Sequence, residues 1–286
     1  MVGNRVGAII QVRYDSERLP GKALLKLPFG GEFSILEHIC RRLKTANGVD
    51  EIIVATSNEK SDDAIAEEAK KIGINCFRGD KANVLDRFYK AAVSSKLQTA
   101  IRLTGDNPVI FTELFQPVIS YHLDNHNDYT YSLGLPIGTA FELVSINALK
   151  KVVDNAFEAS DKEHVTTYIR KNTQQFKIGN YQHHFSEDFS SYRLTVDYPN
   201  DYALLSMIMS SFSKNNFDYN TDSLLKLMRE NTWLKEINLS SYQKKVFADL
   251  TEEKAEAESV LKKFGLDRIA NIVKNIDSAL SDLPNQ

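Results

Sequence analysis

Arg5 to Lys22 reads RVGAIIQVRYDSERLPGK. Val6 to Val12 is almost unbroken apolar sequence bounded by polar residues, and its shortness predicts a buried parallel strand rather than a helix. The loop that follows carries Arg13, Arg18 and Lys22 within ten residues, with Ser16 between them and Pro20-Gly21 forcing a turn. That turn is expected to leave backbone N–H groups free to face a ligand. A strand running into three cations and a tight turn can hold a polyanion at the carboxyl edge of a sheet, where open α/β folds bind their ligands. A nucleoside triphosphate fits. The loop is not a Walker A motif, because Ala23 follows Lys22 and no glycine stands five residues before Gly21. On spacing alone, a basic surface loop partly offset by Asp15 and Glu17 is an equal alternative.

The pattern R-x-x-S-x-R-L-P-G-K, spanning Arg13 to Lys22 after a first strand, resembles the signature loop of sugar nucleotidyltransferases. Within that group it is most similar to the cytidylyltransferases that make CMP-activated sugars, of the spore-coat-polysaccharide type. The resemblance implies a Rossmann-like, GT-A-type α/β nucleotidyltransferase fold with a mostly parallel central sheet flanked by helices. It implies Arg13, Arg18 and Lys22 as catalytic groups on the triphosphate, with Ser16 and Gly21 as further nucleotide contacts.

Length and composition agree with an enzyme of this size. The chain has 286 residues, enough for one large α/β domain with an appendage, and a net charge of -3. With cations not massed on one face, a duplex nucleic acid is not an expected partner. Cys40 and Cys76 lack any Cys-x-x-Cys or Cys/His spacing and read as free core thiols of a reducing compartment. Met1 to Asn4 leads directly into the first strand, and no apolar run approaches the length of a membrane span. A cytoplasmic protein is expected.

Strands and helices then alternate. Ser34 to Ala46 predicts a helix capped by Ser34, with Ile35, Leu36, Ile39, Cys40 and Leu43 on one face. Glu51 to Thr56 predicts a buried strand, and Ser61 to Lys71 a helix begun by Ser61 with Asp62 and Asp63 near its positive end. Ile74 to Phe77 predicts a third strand. Such βαβ units imply a parallel sheet with right-handed crossovers. The segment Arg78-Gly79-Asp80, followed by Asn83-Val84-Leu85-Asp86-Arg87 at the start of a helix, is suited to phosphate or a base edge. On the pattern alone an ordinary strand-to-helix connection with a solvated Asp86-Arg87 pair is the stronger reading. Its resemblance to the family's second nucleotide-side segment adds Arg78, Asn83 and Arg87 to the candidates.

Thr99 to Thr104 predicts a fourth strand, ended by Gly105-Asp106-Asn107-Pro108. A carboxylate at such a strand end can reach Mg²⁺ bridging phosphates, or can simply begin a turn. Arg102, charged within an apolar strand, needs a partner, which can be a structural carboxylate or the nucleotide. Further on, Tyr192 to Val196 predicts a strand ending in Asp197-Tyr198-Pro199, the same arrangement as at Asp106. T-G-D-N-P and L-T-V-D-x-P resemble the family's two metal-ligand segments, which implies Asp106 and Asp197 as ligands of Mg²⁺.

Between these segments, Tyr129 to Leu133 and Phe141 to Ile146 predict strands, and Asn147 to Ala159 a helix burying Leu149, Val152, Val153 and Phe157. Gly138-Thr139-Ala140-Phe141-Glu142 stands where related sequences often carry G-x-D-x-E, so Ala140 replaces an acid and Glu142 is a sugar-side candidate. Asp161 to Asn172 predicts one helix with His164 and Tyr168 four apart on one face. E-H-V-T-x-Y-I resembles the segment that closes over the sugar, which implies His164 and Tyr168 as sugar contacts.

The resemblance ends near residue 235. Thr251 to Phe264 and Leu266 to Leu280 read as two amphipathic helices broken at Gly265, so the expected domains are a nucleotidyltransferase unit at 1–240 and a helical extension at 241–286. The implied function is transfer of CMP from CTP to a sugar acceptor, a keto-sugar acid, giving a CMP-sugar and pyrophosphate for surface polysaccharide or glycoconjugate synthesis. The resemblance also implies a homodimer. Two alternatives stay open: a sugar-1-phosphate nucleotidyltransferase using UTP or GTP, and a nucleotide-sugar-binding protein without turnover.

Overall fold

Val6–Gln11 (β1) lies inside a seven-stranded sheet because its residues are apolar on both sides of the pleat. Ala8 and Ile10 face one layer of core and Ile9 the other. The computed structural model describes residues 4–16, 18–185, 189–241 and 250–276. The chain divides into two units, Met1–Ser241 and Tyr242–Gln286.

In the first unit β1 pairs in parallel with Glu51–Ser57 (β2) and Thr99–Thr104 (β4), and β2 with Asn75–Gly79 (β3). Glu142–Ser145 (β6) runs antiparallel between β4 and Tyr129–Leu133 (β5), and Ile178–Gln182 (β7) completes the edge beside β5. The order is β3-β2-β1-β4-β6-β5-β7. Chain order reverses between β1 and β4, which places a crevice at their carboxyl ends.

Helices cover both faces. Ile35–Leu43 (α1), Asp63–Lys71 (α2), Phe115–Asp124 (α4), Pro199–Phe212 (α8) and Thr221–Glu230 (α9) bury apolar side chains on one face. Val84–Ser94 (α3), Ile146–Asn155 (α5) and Thr167–Lys171 (α7) do so on the other, and Ala159–Glu163 (α6) is a single short turn before α7. Ser34 caps α1 as its sequence requires, its hydroxyl accepting the Glu37 N–H. Burial pushes the Cys40 thiol up to about 12, and both cysteines are free.

Four expectations need correction. Tyr192 to Val196 is not a strand; only a single bridge joins Arg193 to Ile137, because the segment bonds to loops beyond the sheet edge, Leu194 N–H to Ile137 and Val196 N–H to Asp106. Ser61 does not cap α2. The helix begins at Asp63, and Asp62 is drawn into the interior instead. α5 stops at Asn155, which takes Phe157 out of the helical register and leaves it 80% exposed. Finally, 161–172 is two short helices rather than one. His164 ends α6 at φ -114, ψ 89, and the chain turns inward to bury Val165 and bond Thr166 to Glu142. His164 and Tyr168 therefore do not share the face of a continuous helix.

In the second unit, Leu250–Lys263 (α10) and Asp267–Lys274 (α11) flank Gly265 as expected. An apolar stripe of Ile269, Ile272, Val273, Ile276 and Leu280 was expected on the second helix; Ile269 and Ile272 are exposed, whereas Ala270 is buried, and Leu280 lies outside the described residues.

Candidate functional site

The loop after β1 is held by a buried carboxylate. Asp62 accepts the Tyr14 N–H at 2.6 Å, the Ser57 N–H at 3.0 Å and the Ser57 hydroxyl. Burial would raise its pKa, but the bonds from Ser57 and Tyr14 outweigh that and lower it. Gly21 is left-handed at φ +70, and its N–H donates to the Tyr14 carbonyl at 2.8 Å; Lys22 N–H donates to Leu19 at 3.3 Å. These amides close the turn and are not free for a ligand as expected. The turn's role is to aim side chains.

Lys22 is the side chain aimed most sharply. Its Nζ lies 2.7 Å from Asp106 Oδ2 and 2.9 Å from Asp197 Oδ1, bridging carboxylates that are 91 positions apart in sequence. Burial disfavours the ammonium charge, but Asp106 and Asp197 together overcome this and raise its pKa. Arg18 donates to Asp197 Oδ1 at 2.6 Å and lies over the Tyr198 ring, 5.1 Å from its centroid. Thr104 Oγ1 donates to Asp106 Oδ1 at 2.6 Å. The Asp106 end of β4 and the 193–197 segment are joined through the Val196 N–H, 2.8 Å from the Asp106 carbonyl.

Beneath Asp197 lies a network that sequence reasoning missed. Arg193 donates to Asp197 Oδ2 at 2.9 Å and to Asp201 Oδ1 at 3.0 Å, and Asn238 donates to Asp201 at 2.9 Å. Asp201, fully buried, also accepts the N–H groups of Asp197 and Tyr198 at 3.0 Å. An arginine within the apolar run YRLTV was the available signal, of the same kind as Arg102 in β4. Burial pushes the Asp197 carboxyl up, but Lys22, Arg18 and Arg193 hold it below the ordinary value.

The nucleotide-side candidates fall into two groups. Arg13 and Arg87 are neighbours at the carboxyl edge. Arg87 is 2% exposed, donates to the Asp80 carbonyl at 2.6 Å, and has its pKa lowered by burial and by Arg13. Such a pair is suited to an incoming anion. Arg78 instead donates to Ser57 O, Glu59 O and Asp63 Oδ1, tying β3 to the start of α2. Asn83 caps α3 by accepting the Asp86 N–H at 3.0 Å. Ser16 lies in the loop, its N–H on the Tyr14 carbonyl at 2.9 Å.

Arg102 and Glu142 meet directly across the β4–β6 pair. Arg102 donates to Glu142 Oε2 at 2.9 Å and to Gln11 Oε1 at 2.6 Å, while Tyr129 and Thr166 also donate to Glu142. The partner Arg102 requires is thus a structural carboxylate, and Glu142 is 6% exposed with both oxygens engaged. Tyr168 packs edge-on against Phe176, and His164 stands at the end of α6.

This edge can bind a polyanion through Arg13, Arg18 and Lys22 and can offer two carboxylates to a hard cation. The donor set suits Mg²⁺: two carboxylates already hold a cationic group between them, and magnesium characteristically takes one or two carboxylates with substrate phosphates completing its shell. Among the described residues no group of three or more His, Cys, Asp or Glu is placed to hold a metal ion without such help. No helix among them is long and apolar enough to cross a membrane.

Comparison with known proteins identifies the family. The chain is 36% identical over 240 residues to an uncharacterized protein of Methanocaldococcus jannaschii, covering 84% of this chain and 97% of that one. It is 34% identical over 230 residues to the spore coat polysaccharide biosynthesis protein SpsF of Bacillus subtilis, covering 80% and 95%. Among solved structures it is similar to a cytidylyltransferase from Leptospira borgpetersenii, with a TM-score of 0.76 and 28% identity over 86% of this chain and all of that one. The sequence model of the cytidylyltransferase family matches residues 7–249, and the chain therefore belongs to the cytidylyltransferases, a family of nucleotidyltransferase enzymes.

Proposed function

We propose that this enzyme transfers CMP from CTP to a sugar, with a keto-sugar acid as acceptor, in a reaction that requires Mg²⁺ held by Asp106 and Asp197. The observation that carries the reading is the carboxylate pair bridged by a cationic group at the β1–β4 crevice, beside a loop bearing Arg13 and Arg18. A sugar hydroxyl attacks the α-phosphorus of CTP: its oxygen–phosphorus bond forms, its proton passes to solvent, the α–β phosphoanhydride breaks and pyrophosphate leaves. Mg²⁺ would offset phosphate charge. Arg13, Arg18 and Lys22 position the triphosphate and neutralise charge as it accumulates on the leaving group. Arg193 and Asp201 keep Asp197 oriented. The name of the Bacillus relative supports a polysaccharide precursor as product.

Pyrophosphate release from CTP, UTP and GTP, measured with a panel of keto-sugar acids and Mg²⁺, tests the reading. Release with CTP alone among the nucleotides is expected, and preference for UTP or GTP would overturn it. Asp106→Asn and Asp197→Asn should each abolish release while the melting transition survives. Near-normal turnover in either variant removes that residue from the site.

A further inference from the structure

The cation between Asp106 and Asp197 is tethered to the chain. Lys22 reaches both carboxylates, and its side chain is only 11% exposed. The two remaining oxygens are occupied as well, Asp106 Oδ1 by Thr104 and Asp197 Oδ2 by Arg193, and Arg18 shares Asp197 Oδ1 with Lys22. Counting Asp201, which shares Arg193, three carboxylates face three cations and the cluster is neutral. A free dication meets no net attraction there and must displace an ammonium from a nearly buried pocket. A triphosphate changes the balance, because it adds negative charge beside Lys22 and gives the ammonium somewhere else to go. Lysine suits such a transfer, being a point charge on a flexible four-carbon stem, whereas Arg193 is fixed in a fork by Asp201.

Resting on the proposed metal role of the pair, we infer that Lys22 is the resident counter-ion of Asp106 and Asp197 and makes metal binding conditional on the nucleotide. Metal enters with or after the triphosphate, as Lys22 moves from the carboxylates to the phosphates. The free enzyme is thereby protected from filling its site with whichever divalent ion is abundant.

The test reads binding, not turnover. Mn²⁺ is titrated by electron paramagnetic resonance into the full chain without nucleotide, for the wild type, Lys22→Met and Lys22→Arg. Lys22→Met should bind Mn²⁺ at least about tenfold more tightly than wild type, since a buried charge competing for the same oxygens is gone. Lys22→Arg should stay weak. Lys22→Gln repeats the measurement should the methionine variant fail to fold. Equal Mn²⁺ affinity of the wild type and the neutral variants would overturn the inference. A second arm adds a CTP analogue with a methylene α–β bridge. If wild type then binds Mn²⁺ tightly and Asp106→Asn does not, the metal reading stands whatever Lys22 does. If neither wild type nor the neutral variants bind Mn²⁺ with the analogue present, the metal reading fails and the inference with it.

Discussion

Replacing Arg193 by methionine keeps the bulk of the stem and deletes the guanidinium that Asp197 and Asp201 share. Arg193 is 8% exposed and Asp201 fully buried, and the two contacts are 2.9 Å and 3.0 Å. Removing one partner of a buried ion pair leaves the other charge uncompensated, which costs about 3–5 kcal/mol. Three N–H donors remain on Asp201, from Asp197, Tyr198 and Asn238, so the lower end of that range applies. For a unit of this size each kcal/mol corresponds to about 2–4 °C, giving a fall in Tm of about 6–12 °C. The double variant Arg193→Met/Asp201→Asn should recover part of this loss, because the stranded charge is gone. Turnover of Arg193→Met, measured well below its Tm, should also fall, since Asp197 loses its support. A single variant within 2 °C of wild type, or a double variant less stable than the single, would refute the account of Arg193 as the cation that holds this edge together.

Arg18→Ala is expected to weaken CTP binding more than CMP binding, as a calorimetric comparison would show; equal weakening would place Arg18 on the base or in folding. His164→Ala should raise the sugar requirement while CTP affinity and Tm stay near wild type, and loss of Tm with unchanged sugar dependence would make His164 structural. Gly138 has φ +93, and a Cβ there would lie 2.7 Å from Thr195 N and 2.8 Å from the Leu194 carbonyl carbon, so Gly138→Ala should push the 193–197 segment outward and reduce both Tm and turnover. Burial pushes His122 down to about 4, and burial with His184 does the same to His183. Their folded pKa values lie below the unfolded value near 6.5, so the unfolded chain takes up protons first. Their contribution is complete above about pH 6.5 and declines towards pH 4, by about 3 kcal/mol each at most. Urea midpoints measured from pH 7.5 to 4.5 should fall more steeply in wild type than in His122→Asn.

The nucleotide half of the fold was legible because its signals are local. An apolar run, a capping serine and a glycine turn each act within a few residues, and β1 to β4 followed from them. Asp106 was expected at the end of a strand and stands there, after β4, whereas Asp197 was expected at a strand end and follows an irregular segment; what joins the two is their shared contact with Lys22. What sequence could not supply were choices decided by distant partners. Tyr192 to Val196 has the composition of a strand, but its backbone bonds run to Ile137 and Asp106, which no window around it contains. The helix at 161–172 has helical periodicity throughout, yet burial of Val165 and the Thr166 bond to Glu142 break it. Arg193 and Asp201 were overlooked for a related reason. An arginine in an apolar run reports that some partner exists, without saying which.

The antiparallel setting of β6 has a consequence for where a change at the rim is felt. A strand parallel to β4 would end at the carboxyl edge of β1 and β4, whereas β6 begins there, with Glu142 opposite Arg102. The segment arriving at that point, from Gly134 through Phe141, therefore crosses the rim on its way into the sheet and is anchored at its far end by the ladder. Midway it is tied to the 192–194 backbone, Ile137 donating to the Tyr192 carbonyl and accepting the Leu194 N–H, and Gly138 leaves no room for a Cβ against Thr195. A change in this stretch is therefore passed to the segment that carries Asp197 rather than to the ladder of β1, β2 and β4.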